Sequence, residues 1–261
     1  MHTGPFTLVK WYMDCVTGAG EAAIVYCADL HWRGLHATMG SVLESVAGAA
    51  PRTRTSLGRF RVLHGGRDEI TVEHRRLKVS GTWQAMCSPV QRTVYEERAG
   101  SIVWNCVQPG SRVRMSIGER ELAGLGYAEC LTVTLPSWRL PIRCLRWGRF
   151  VSAEHALAWV DWQGPYSTRF AVLDGQECRL VSASESEVVT GEASLRIEAG
   201  DSLRAGPLNA TILSGAPGLK RLFPASLFNI RERKWKSRGT LAHSGRTSPG
   251  WVIHEVVEWE P

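Results

Sequence analysis

The sequence predicts an all-β chain made of two related halves, on three observations. Short β-rich runs recur at about 8–12-residue spacing with turn signals between them, the mark of a sandwich or barrel, and no convincing helix of ten residues appears before Gly118. The chain holds eleven tryptophans; their large, rigid apolar surface suits a barrel interior or an aromatic-lined pocket. Two segments also echo each other in order. KWYMDCVTGAGEAAIVYCADLHWRG and RWGRFVSAEHALAWVDWQG both read as Trp, strand, short turn, strand, Trp, Gly. A second echo pairs LKVSGT and SIVWNCV with WKSRGT and WVIHEVV, so two β-units of about 120–140 residues are expected.

The strands follow from local chemistry. Residues 7–14 (TLVKWYMD) and 22–32 (AAIVYCADLHW) flank a Gly-containing turn at 17–20, a hairpin signal. Residues 36–46 fit a strand or a short helical turn, and 47–56 (AGAAPRTRTS) have loop composition. A Gly65-Gly66 turn precedes DEITVEH, where Ile70, Val72 and His74 alternate with Thr71, Glu73 and Arg75 as in a half-exposed strand. Residues 101–118 predict a hairpin turning at Pro109-Gly110. Residues 127–135 predict a strand ended by Pro136, and the corner PSWRLPIR carries two prolines that exclude central strand or helix. A hairpin is expected across Ser152–His155, another at Asp174-Gly175, further strands near 193–198 and 208–213, and a last strand in GWVIHEVVEWE.

Composition narrows the function. No apolar run approaches the roughly 18–20 residues of a membrane span, and the N-terminus lacks the charged and apolar regions of a secretory signal. Seven cysteines, odd in number and never in a CxxC pair, argue against a disulfide framework or a structural zinc site. They are expected as small core residues in a reducing cytoplasm. The net charge is +6. Its one dense basic stretch, residues 220–239, is expected to be a solvated surface hairpin, and nucleic-acid binding is not the expected role. The eight histidines form no HxxxH or HExxH, so no catalytic metal is expected, and no GxSxG, P-loop or dinucleotide fingerprint is present.

Carboxylates on apolar strand rows are the candidates for chemistry. Side chains two apart on a strand share a face. Glu129 therefore lies in a row with Tyr127, Leu131 and Val133, and Glu255 in a row with Trp251, Ile253, Val257 and Trp259. Either Glu255 or His254 faces inward: if the tryptophan row lines the lumen, Glu255 is a desolvated acid, and the alternative is a structural salt bridge between Glu255 and an arginine of the 231–238 strand. Asp161 shares a face with Leu157 and Trp159, and with the two glutamates could form a paired-carboxylate site.

The Trp11-Tyr12-Asp14 start, the glycine-rich entry at Gly124–Tyr127 and WVDWQGP at 159–165 resemble the lipocalin-like AttH/CrtC family. That family includes carotenoid 1,2-hydratases and fungal Diels–Alderases. The resemblance implies two consecutive lipocalin-like antiparallel β-barrels and a hydrophobic small-molecule site. The sequence departs from the hydratase pattern at Ala128-Glu129 after Gly126-Tyr127, and at Lys10-Trp11-Tyr12 where a double tryptophan is usual.

The expectation is thus two barrels, residues 1–120 and 121–261. The expected function is a cofactor-independent enzyme that hydrates, isomerises or cyclises an apolar isoprenoid- or polyketide-like molecule. Glu129, Glu255 and Asp161 are the candidate acids, and Tyr127, Trp138, Trp159 and Trp251 the pocket lining. A non-catalytic carrier or sensor of an apolar ligand is the alternative.

Overall fold

The computed structural model describes residues 6–65, 68–136, 140–207 and 230–259. Trp138 and the strand expected near 208–213 lie outside the described residues. The described chain is built from strands, with a single-turn 3-10 helix at Arg75–Leu77, and contains no helix long and apolar enough to cross a membrane.

The first unit comprises β1 (Phe6–Thr17), β2 (Ala22–Trp32), β3 (Leu35–Ser45), β4 (Arg52–Leu57), β5 (Arg61–Gly65), β6 (Glu69–His74), β7 (Val79–Ala85), β8 (Val90–Glu97), β9 (Gly100–Ile117) and β10 (Arg120–Val133). These strands form one antiparallel sheet in the order β4-β3-β2-β1-β10-β9-β7-β6-β5, with β8 also on β9. The sheet curls until its β4 side meets the turn between β6 and β7. There Arg54 Nη1 donates to the Leu77 carbonyl at 3.1 Å and Arg76 Nη1 to the Leu57 carbonyl at 2.6 Å. Inside lie Met13, Val25, Cys27, Val72, Trp83 and Met115. Trp83 is fully buried, and its indole Nε1 donates to the Asp14 carbonyl at 2.8 Å, which satisfies the polar edge of a large core ring.

The second unit comprises β11 (Cys144–Val151), β12 (Ala156–Gln163), β13 (Thr168–Leu173), β14 (Gln176–Cys178), β15 (Leu180–Ala183), β16 (Glu187–Thr190), β17 (Ala193–Ile197), β18 (Asp201–Pro207), β19 (Ile230–His243) and β20 (Arg246–Trp259). Its order is β14-β13-β12-β11-β20-β19-β17-β16-β15, with β18 also on β19. This repeats the first sheet strand for strand. Each unit opens with a meander whose first strand pairs with the unit's last strand. The fold is therefore two consecutive antiparallel β-barrel units. The second core holds Phe150, Leu157, Trp159, Leu195, Leu241 and Val252.

Several local expectations change. The division falls between Leu140 and Pro141 rather than at 120/121, because β9 and β10 are adjacent strands of the first sheet and the expected boundary coincides with their turn. Residues 101–118 are not a hairpin. β9 runs straight through Pro109-Gly110, where its neighbour changes from β8, paired up to Cys106, to β7, paired from Ser111. Proline fits a strand where no ladder partner needs its missing N–H. The expected loop at 47–56 contains β4, and 36–46 is resolved as strand. The first sequence echo maps onto equivalent strands, β1-β2 and β11-β12. The second does not, since LKVSGT lies in β7 and WKSRGT in β19, whose counterparts are β17 and β9. The hairpins at Arg33-Gly34 and Asp174-Gly175 have both central φ values positive, 48° and 80°, and 50° and 80°, matching the twist of the strands they join.

Candidate functional site

In the first unit, the rows of β1 and β10 that turn away from the Trp83 core are also buried, and they carry polar and aromatic groups. Tyr12, Asp14 and Tyr127 are each at most 3% exposed, and Glu129 is half-buried. Register explains the grouping: Tyr12 lies directly opposite Glu129 on β10 and opposite Tyr26 on β2. Tyr12 packs edge-on against Tyr26 and Tyr127, with centroids 5.3 and 6.0 Å away. One oxygen of Glu129, Oε2, accepts from Tyr127 Oη at 2.7 Å and from Trp104 Nε1 at 2.6 Å. Burial, with the neighbouring Cys106 and Glu129, holds the Tyr127 phenol well above its ordinary range, so it is a neutral donor. Burial likewise keeps Cys106 a thiol. The result is a carboxylate gripped by two neutral donors and ringed by tyrosines.

The topologically equivalent carboxylate of the second unit is Glu255, opposite Trp147 on β11 and Lys234 on β19. Its surroundings are ionic. Lys234 Nζ lies 2.5 Å from Glu255 Oε2 and 3.4 Å from Glu232 Oε1, and Arg204 Nη1 reaches Glu232 Oε2 at 3.3 Å. Lys234 is 2% exposed. The lone desolvated acid imagined between tryptophans is thus an ion pair in a buried network. The basic stretch at 220–239, where described, is correspondingly not a solvated hairpin, since Lys234 and Lys236 are buried in β19. Nearby, Arg149 is fully buried and donates to the Trp251 carbonyl at 2.8 Å. The half-buried Trp251 ring carries the Arg238 guanidinium at 3.7 Å from its centroid.

The tryptophan row of β20 does not face the second core; the row of Val252 and His254 does. His254 stacks on Trp235 with centroids 5.1 Å apart, and burial pushes its pKa down to about 4. Trp159 belongs to the same core, over Gly148, its cross-strand partner. Asp161 continues the Trp159 row, 6% exposed, and accepts from Gln163 Nε2 at 2.7 Å. Asp161 and Glu255 therefore occupy opposite faces of the second sheet. Two clefts lined by described residues, of about 470 Å³ beside Glu192, His243 and Arg246 and about 430 Å³ beside Arg61, Thr71 and Arg114, contain none of the candidate residues.

Of the residues singled out in the sequence, Tyr127 and Glu129 are in direct contact. Trp104, Tyr26, Cys106 and Lys234 were missed. Parity counting could not connect Trp104 to Glu129, because β9 and β10 shift register twice between Gly126 and Cys130. Lys234 had a visible signal: Glu232, Lys234 and Lys236 alternate in a row flanking β20, the pattern of paired charges on a buried face.

No family model and no curated protein matches the sequence, but solved structures match its fold. An AttH-type protein from Nitrosomonas europaea superposes with a TM-score of 0.59 at 11% identity, over 100% of this chain and 95% of the other. Kievitone hydratase from Nectria haematococca gives 0.55 at 10% identity, over 98% and 89%. CghA, solved with Sch210972, gives 0.53 at 10% identity over the same shares. The chain shares its fold with these proteins, as the short motifs implied.

Proposed function

We propose that this chain is an enzyme acting on an apolar small molecule, with Glu129 as the group that moves the proton. The observation that carries the reading is the Glu129 carboxylate, gripped by Tyr127 and Trp104 on a buried, tyrosine-lined face. Two proteins of the same fold support it: one is named a hydratase, and another was solved with a small organic molecule.

The chemistry that fits is hydration, isomerisation or cyclisation without a metal or redox cofactor. In a hydration, the protonated carboxyl group gives its proton to one alkene carbon. Water attacks the cation, and the carboxylate takes the proton of that water, which regenerates the group. The tyrosine faces stabilise the cation while it exists, and Tyr127 and Trp104 hold the carboxyl oxygen in place throughout. Glu255 has a different role in this reading: with Lys234 it is a charge pair that orders the second sheet. Asp161, Trp159 and Trp251 support the second unit rather than the reaction.

The test is native mass spectrometry of freshly purified protein, organic extraction of what co-purifies, and turnover of that compound by wild type and Glu129→Gln. The reading expects a bound isoprenoid- or polyketide-like molecule, turnover by wild type, and loss of at least about a hundredfold in the variant, the scale of general acid–base catalysis. Tight binding with no turnover in either protein establishes a carrier instead. A clean protein mass, with no thermal shift across a panel of apolar ligands, overturns the pocket altogether.

A further inference from the structure

We propose that Asp29, His31 and His36 bind a divalent transition-metal ion of the zinc, nickel or copper kind at one end of the first barrel. These residues play no part in the Glu129 site. Asp29 and His31 lie on the row of β2 that includes the core residues Ala23, Val25 and Cys27, at the point where that row becomes exposed, and His36 faces His31 from β3.

The hairpin between β2 and β3 builds the site. Its two-residue turn, Arg33-Gly34, pins the register so that His31 stands directly opposite His36, and Asp29 is two residues back on the same face. The two imidazoles stack with centroids 4.1 Å apart and planes 12° from parallel. Both Nε2 atoms converge on one carboxylate oxygen: Asp29 Oδ1 is 3.1 Å from His31 Nε2 and 2.9 Å from His36 Nε2. All three donor atoms lie within 4.8 Å of one another. Ligands about 2.0–2.2 Å from a tetrahedral ion are themselves about 3.3–3.6 Å apart, so small side-chain rotations bring these donors onto one ion. Two imidazoles and one carboxylate form a borderline donor set that selects zinc, nickel or copper over magnesium or calcium. The nearest turn cation points elsewhere: the Arg33 guanidinium sits 5.4 Å from the Trp32 ring centroid, and Trp32 is on the opposite face from His31. With three protein ligands, the ion keeps a position open to water or to an anionic ligand.

An ordinary His–Asp hydrogen bond is present elsewhere for comparison, between His155 Nδ1 and Asp174 Oδ2 at 2.7 Å. That pair has one imidazole and one carboxylate and provides the control.

The experiment uses the full chain without a histidine tag. Zn²⁺ is titrated calorimetrically and Co²⁺ by visible absorption, in wild type, His31→Gln, His36→Gln, the double variant and His155→Gln. Wild type and His155→Gln should each bind one equivalent. Each single variant at the hairpin should bind at least about tenfold more weakly, the scale of losses at metal sites. Zn²⁺ should raise the melting temperature of wild type but not of the double variant. The cysteines are the same in every protein, so the difference isolates the hairpin. The proposal fails if wild type binds no more metal than the double variant does. It also fails if the Co²⁺ spectrum shows a thiolate charge-transfer band and is unchanged in the double variant, which places the ion on cysteine.

Discussion

Glu129 and Glu255 stand at the same place in the two sheets. Each is on the last strand of its unit, opposite an aromatic residue of the first strand, Tyr12 in one case and Trp147 in the other. Their side-chain partners differ in kind. Glu129 is held by the neutral donors Trp104 and Tyr127, and Glu255 by the ammonium of Lys234. One duplicated carboxylate accepts from a phenol and an indole, and the other is held in an ion pair.

Replacing Glu129 separates its hydrogen bonds from its chemistry. Glu129→Leu removes the acceptor shared by Tyr127 and Trp104, both buried, and should cost about 1–3 kcal/mol. Glu129→Gln retains an acceptor oxygen and should cost about 1 kcal/mol or less. Urea unfolding of both variants checks the order.

Lys234→Met should be far more damaging than its apolar bulk suggests. It leaves Glu255 and Glu232 without the ammonium between them in a buried setting, and breaking such a pair costs about 3–5 kcal/mol. Adding Glu255→Leu should recover much of the loss, because two apolar groups replace the ions that had to be desolvated. A double-mutant cycle by chemical denaturation measures the coupling.

The buried His254 makes stability depend on pH in a defined window. Its pKa is pushed down to about 4 in the fold, against 6.5 for the ordinary side chain. Between those values the unfolded chain binds the extra proton, so its contribution is complete above about pH 6.5 and is lost as pH falls towards 4. The contribution is of the order of 3 kcal/mol at neutral pH. His254→Gln should flatten the acid limb of a stability–pH curve over that window, and an unchanged limb would show that another group sets it.

Gly148 should not tolerate a methyl group. A Cβ there meets the Trp159 ring and the Cβ of His254, since Trp159 lies across Gly148 from the neighbouring strand. Gly148→Ala should cost about 1–3 kcal/mol through overpacking. A crystal structure of the variant should show the Trp159 ring displaced.

Local strand and turn structure was legible from residue order alone. The Gly-containing turn at 17–20 placed the strand at 22–32, alternation placed the strand around DEITVEH, Asp174-Gly175 set a hairpin, and the Trp-bearing echo foretold that β1-β2 and β11-β12 are equivalent. These features depend on residues close in sequence, where side-chain period and turn chemistry act directly. Residue order also marked Glu129 and Glu255 as carboxylates on apolar rows. Tertiary structure decided what those rows face. Parity separates a strand into two rows but does not say which one meets the core, and here both rows are buried at Gly126–Ala128 of β10 and at Val252–His254 of β20. Pairing decided the rest: the register shifts opposite Gly126–Cys130 bring Trp104 to Glu129, and the β19-β20 ladder brings Lys234 to Glu255. The role of a carboxylate depends on the charge and donors beside it, and those neighbours come from strands distant in sequence.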